Sequence, residues 1–334
     1  MFNAQLVFGA FLIAIIMVDA IRSTLTTQGG GVLTRHLAKA QHGLMLWLAS
    51  TTGRRSPLAI SGAAAIASIT LTWLLGLWLG WYLVFDALPG AVVNSQSKLP
   101  VDSIGKVYFV GFTLSTLGIG DLVPSGAAAR ILTPVAAFNG LLLATLAITY
   151  AVPLVSGAVQ KRHFAYSVSS LGPDPVGLVR ASWNGRNFNA LESILSDLSS
   201  ELLQLTEQRL AYPILDNFQT RERGGSLILQ IAVLDEALSL LSYGVGASQR
   251  PDPVVVNNVR SAIQHYLSRT VGDEDGRTET PPLPDIQRLS GTGLEVVAED
   301  TYAAELVSLA RHRRGLKQAL EREGWDWPGG ARTS

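Results

Sequence analysis

The segment Thr113-Leu114-Ser115-Thr116-Leu117-Gly118-Ile119-Gly120-Asp121-Leu122-Val123-Pro124 decides the fold. Two glycines one residue apart follow a hydroxyl-bearing run, and an acid and a proline come after them. Apolar stretches flank the segment, Leu58 to Phe85 before it and Ala127 to about Ala158 after it. Each exceeds the roughly 20 residues a spanning helix needs. Irregular backbone at membrane depth is tolerated only where protein buries it or where it lines a watery cavity. Gly118 and Gly120 can take backbone angles closed to other residues, so successive carbonyls can turn to one side. The useful chemistry of this stretch therefore lies in its main chain.

Working outward on the N-terminal side, Asp102 or Ser103 can cap a short helix, Ile104 to about Ser115. It is too short to span and is expected to dip into the membrane, its partially negative C-terminal end favouring a cation. The outer loop, Ala87 to Val101, carries Lys98 as its one base. Trp73, Trp78, Trp81 and Tyr82 weight the far half of the preceding apolar run, as residues at the headgroup level do. On the C-terminal side, a spacing of three and four puts Leu141, Ala144 or Thr145, Ile148 and Val152 on one helix face. Gly140 and Pro153 interrupt that helix, as points of bending or of simple packing. Asn139 is polar at membrane depth, where a hydrogen bond to a neighbouring helix is expected.

The six residues Thr116 to Asp121 resemble the signature filter of the pore-loop potassium channel family, usually written Thr-Val-Gly-Tyr-Gly-Asp. Leu122-Val123-Pro124 is similar to the family's exit from the filter, and Arg130 and Gly140 fall at the family's spacing. The resemblance spans residues 58–160. It implies that the carbonyls of Thr116, Leu117, Gly118 and Ile119 coordinate potassium, with the Thr116 hydroxyl contributing, in place of the ion's water shell. Gly120 and Asp121 support the filter and its outer mouth, while Leu141, Thr145, Ile148 and Val152 line an apolar cavity. Gly140 and Pro153 are its gating candidates. One chain supplies one filter strand, so a homotetramer is implied. Two departures stand out. Leu117 replaces valine, and Ile119 replaces tyrosine or phenylalanine, removing a hydroxyl that can tether the filter. Tyr108 and Phe109 remain to form an apolar cuff.

Composition agrees with this. Only 16% of the 334 residues are charged, against about a quarter in soluble chains. Net charge is zero and no basic tract occurs, so nucleic acid is not an expected partner. Cysteine is absent, which excludes disulfides and thiolate chemistry, and the five histidines lack metal-site spacing. Potassium is the expected cargo, and no organic cofactor or enzymatic activity is expected.

Leu6 to Val18, extended to Phe2, reads as an uncleaved first spanning helix. Val32 to Ala49 reads either as a helix lying at the membrane surface or as one packed on a cytosolic domain. Five bases lie in this first connection and Lys161 and Arg162 follow the last span, which predicts a cytoplasmic C-terminus, an external N-terminus and a plasma-membrane location. The fold class expected is all-α: three transmembrane helices and a re-entrant pore helix, then a helical cytosolic domain. The domains are residues 1–57, the pore at 58–160 and the cytosolic part at 161–334. In that part, helices are expected at Asn187 to Leu210, Leu227 to Leu241, Val254 to Leu267 and Leu294 to Glu323, with a flexible linker near 272–285. No dinucleotide or phosphate-loop motif appears there.

The reading is thus a tetrameric potassium-selective channel. A non-selective monovalent cation channel of the same build, or a membrane-anchored interaction protein with a vestigial pore, remains open beside it. A transporter subunit would carry four filter repeats, and one is found.

Overall fold

The computed structural model describes residues 4–26, 30–52, 56–268 and 279–328. It is an all-α membrane protein in two compact units. The first holds residues 1–156 and 210–219, the second 157–209 and 220–334.

In the first unit, α1 (Ala4–Leu25), α2 (Val32–Thr52) and α3 (Ser56–Asp86) precede a short re-entrant helix, α4 (Ser103–Leu114), and the long α5 (Gly126–Leu171). Among the described residues four helices are long and apolar enough to cross a membrane: α1, α3, α5 and the segment Leu227–Gly244. The first three expose apolar faces, with Phe11, Leu75 and Ile148 among the uncovered side chains. Gly9 and Gly80 let α1 and α3 approach closely, the small-residue contact typical of helix pairs in lipid. The sequence missed a two-stranded ladder, in which β1 (Val92–Asn94) pairs antiparallel with β2 (Leu122–Pro124). It ties the outer loop to the segment leaving Gly120. Asp86 closes the same end by accepting from Lys106 on α4 at 2.9 Å and from Gln5 on α1 at 2.8 Å.

The tryptophans of α3 also take part in packing. Trp73 and Trp81 are buried, and Trp78 donates to the Val107 carbonyl at 3.0 Å. They pack helix on helix because their partners lie inside the bundle. Trp73 donates to Asp19, a buried acid of α1. Asp19 also accepts from the Leu33 and Thr34 amides at the start of α2 and from the Thr34 hydroxyl at 2.6 Å. A carboxylate there satisfies the orphan donors of a helix N-terminus and complements its dipole.

The second unit contains α6 (Pro175–Ser182), α7 (Asn189–Ala211, to Arg209), α8 (Leu227–Ser239), α9 (Pro253–Leu267), α10 (Glu299–Leu306) and α11 (Ala310–Arg322), with the last part of α5. α7 buries Leu191, Leu195, Leu198, Leu202 and Leu205, the stripe its spacing predicts. Every residue of α8 is buried, so this apolar helix is a core element and not a lipid-facing one. Its two acids are answered inside the core: Glu236 takes a two-pronged contact from Arg313 of α11 at 2.6 and 2.9 Å. His312 lies 3.1 Å from Asp235, close enough for ion pairing but without the alignment of a hydrogen bond. Burial pushes the Asp235 carboxyl up, yet His312, Arg260 and Arg313 together hold it below its ordinary value.

The helix expected over Leu294 to Glu323 does not form as one piece. Residues 294–298 are extended, because Val296 bridges Val245 and the Gly246 amide donates to the Glu295 carbonyl at 2.7 Å. Helix begins only at Glu299 and is broken by a 3₁₀ turn at Val307–Leu309. Part of the expected linker, 272–278, lies outside the described residues. Its remainder is anchored, since Pro281 is buried and the Pro281 and Pro282 carbonyls accept from Arg313.

Candidate functional site: the glycine segment and its helices

Asp102 caps α4 by accepting from the Gly105 amide at 2.9 Å, and the helix ends at Ser115. Its last turn carries the segment that follows. The Phe112 carbonyl accepts from the Leu117 amide at 2.9 Å and more weakly from that of Gly118 at 3.4 Å. These bonds pin the amide side of the strand to the pore helix.

Thr116, Gly118 and Gly120 have φ of 57°, 56° and 85°, while Leu117 and Ile119 keep negative φ. This alternation turns every second peptide over, so that successive carbonyls share one side of the strand. A Cβ at Gly118 or Gly120 would meet no atom of the chain, so the backbone angle rather than crowding calls for glycine. Among the described residues, the carbonyls of Thr116 to Gly120 accept no hydrogen bond. All five residues are exposed, Leu117 at 67% and Ile119 at 51%, so this polar strand is left uncovered by its own chain. Such a row of oxygens can replace the water around a monovalent cation.

Behind the strand stands an aromatic cluster. The Phe112 ring packs edge-on against Tyr108 and Phe109 at 5.2 and 5.3 Å, and Phe109 against Phe85 at 5.2 Å. Asp121 bonds its own neighbourhood, its side chain accepting from the Leu122 amide at 2.9 Å and its carbonyl from Ser95 at 2.8 Å. Asp121 thus fastens the exit of the strand to the outer loop.

On α5, Leu141, Thr145, Ile148 and Val152 all lie on an exposed face, while Leu143, Leu146, Tyr150 and Leu154 face inward. Gly140 touches the pore helix directly. A Cβ there would sit 2.0 Å from the Leu114 carbonyl oxygen. Pro153 lies inside α5, which continues through it and through Pro134. Asn139 is half-buried and, among the described residues, makes no side-chain hydrogen bond within its own chain.

The ion channel family matches residues 68–156, the stretch that holds α4, the glycine segment and the first part of α5. Along 331 residues the chain is 31% identical to the uncharacterized membrane protein YdjJ of Bacillus subtilis (strain 168), covering 98% of this chain and 96% of that one. No solved structure matches.

Proposed function

The chain belongs to the pore-loop ion-channel family, and on that footing we propose that four copies surround one axis and conduct potassium. The observation that carries the reading is the alternating backbone of Thr116, Gly118 and Gly120, with the Leu117 and Gly118 amides tied to the Phe112 carbonyl and the strand's own carbonyls unclaimed. Four such strands around an axis make the stacked oxygen cages that one strand cannot. Potassium is the cargo, and no organic cofactor or enzymatic step enters the reading. In the tetramer the exposed stripe Leu141, Thr145, Ile148 and Val152 faces the axis as an apolar cavity, and Asn139 has a neighbouring copy within reach. Gly140 and Pro153 are the places where the inner helix can bend. The excess of basic residues in the first connection and after the last span puts the N-terminus outside and the C-terminus in the cytoplasm, in the plasma membrane.

A second reading, a non-selective monovalent cation channel, is favoured by one observation. Ile119 offers no hydroxyl to hold the strand against the Tyr108–Phe112 cluster, so the cage can widen. Both readings are tested by flux from the purified full-length protein in liposomes. Potassium flux that Gly118→Ala abolishes, with a reversal potential near that of potassium in mixed potassium and sodium, is the expected result. Equal permeability makes the channel non-selective. No flux from a correctly folded assembly leaves a membrane-anchored interaction protein.

A further inference from the structure

At the end of the first unit opposite Asp86, a cavity of about 530 Å³ opens between α1, α2, α5 and the residues 211–217. Two cations stand one helical turn apart on its α2 wall, Arg35 and Lys39, both exposed. Neither makes an ion pair among the described residues. One turn further on, His42 is half-buried, and its Nδ1 has no hydrogen-bond partner among the described residues. Burial lowers the His42 pKa against the raising effect of Asp216, so near neutral pH its ring offers a neutral donor. Asp216 is the acid of the lining, and it is itself engaged in an interaction. The remaining wall is mainly carbon, with the Tyr150 and Tyr212 rings at 6.4 Å from each other.

Two uncommitted cations and an orphaned imidazole nitrogen around a mostly apolar hollow match a phosphate group. The position matches too, because α2 joins the two spans at the bilayer edge, where basic clusters attract anionic headgroups. We propose that this cavity binds a phosphate-bearing anion, with Arg35 and Lys39 supplying the charge and His42 a directed hydrogen bond. The occupant would contact Tyr150, three residues before Pro153, and so bear on the helix proposed to line the pore. Binding is read without ion flux, so its outcome is separate from that of the potassium reading.

The test uses the full-length protein in a non-ionic detergent and follows its thermal unfolding midpoint. Mixed micelles of phosphatidylglycerol, micelles of phosphatidylcholine, and inorganic phosphate are added to the wild type, to Arg35→Gln/Lys39→Gln and to Arg22→Ala, whose cation lies outside the lining. Phosphatidylglycerol is expected to raise the midpoint of the wild type and of Arg22→Ala, and to need roughly tenfold more lipid or beyond in the double variant. Stabilisation by inorganic phosphate that the double variant loses keeps the site and assigns it a free anion. An equal response of wild type and double variant, or an equal response to phosphatidylcholine, overturns it. If the double variant does not fold, His42→Phe replaces it and must weaken phosphatidylglycerol binding by the same criterion.

Discussion

Gly140 shows how one missing carbon joins two elements. A Cβ at that position would lie 2.0 Å from the Leu114 oxygen and 2.7 Å from its carbon, backbone atoms that cannot swing aside. The end of α4, and with it the strand from Thr116, therefore takes its distance from α5 at this glycine. Gly140→Ala is expected to force the two apart, costing about 1–3 kcal/mol and abolishing flux. A variant with an unchanged unfolding midpoint but altered open probability would instead make Gly140 a hinge. Pro153 is a different case, because the proline ring takes away only one helix hydrogen bond, that to the Thr149 carbonyl. Pro153→Ala is expected to leave stability unchanged or slightly raised and to shift open probability in single-channel records. Identical gating would exclude this proline from the gate.

At the scale of elements, α6 shows a signal that the sequence held unread. Asp174 followed by Pro175 is a cap followed by a proline at the first helical position. In the structure Asp174 accepts from the Gly177 amide at 2.7 Å and from Arg288 at 2.8 Å. Burial works against the charged carboxyl, but the Gly177 amide and Arg288 prevail and hold its pKa below the usual carboxylate value. Its contribution is thus complete above the unfolded value of about 3.9 and is lost as pH falls through the lower folded value. Asp174→Ala is expected to cost about 1 kcal/mol at neutral pH and progressively less under acid, read as the gap between wild-type and variant unfolding curves. The spans, the cap at Asp102 and the stripe of α7 were legible because each is a local pattern. What escaped depends on partners far along the chain. Asp19 meets Thr34 and Trp73, 15 and 54 residues away. Residues 294–298 stay extended through contacts near Gly244, and β1 pairs with β2 across the pore helix. Of the candidate site, the glycines announced themselves, whereas the Phe112 anchor and the cavity beside Arg35 exist only in the folded chain.

For the molecule as a whole, α5 is the shared element, since the boundary between the units falls within it, between Ser156 and Gly157. Its first part holds the exposed stripe through Val152, and its last part gives Phe164 and Val168 to the core of the second unit. The core's weak point is electrostatic. Arg313 is 1% exposed and spends its guanidinium on Glu236 and on the Pro281 and Pro282 carbonyls. Arg313→Met leaves Glu236 buried without its two-pronged partner, which typically costs about 3–5 kcal/mol. Removing both charges, as in Glu236→Met/Arg313→Met, takes away the stranded carboxylate and is expected to recover most of that loss, because a buried pair contributes little net stability. The unfolding midpoint should therefore fall sharply in the single variant and return in the double one. Flux in liposomes should follow the same order if the second unit governs the pore through α5. Wild-type flux from Arg313→Met protein whose second unit has demonstrably loosened would show that the pore opens without it.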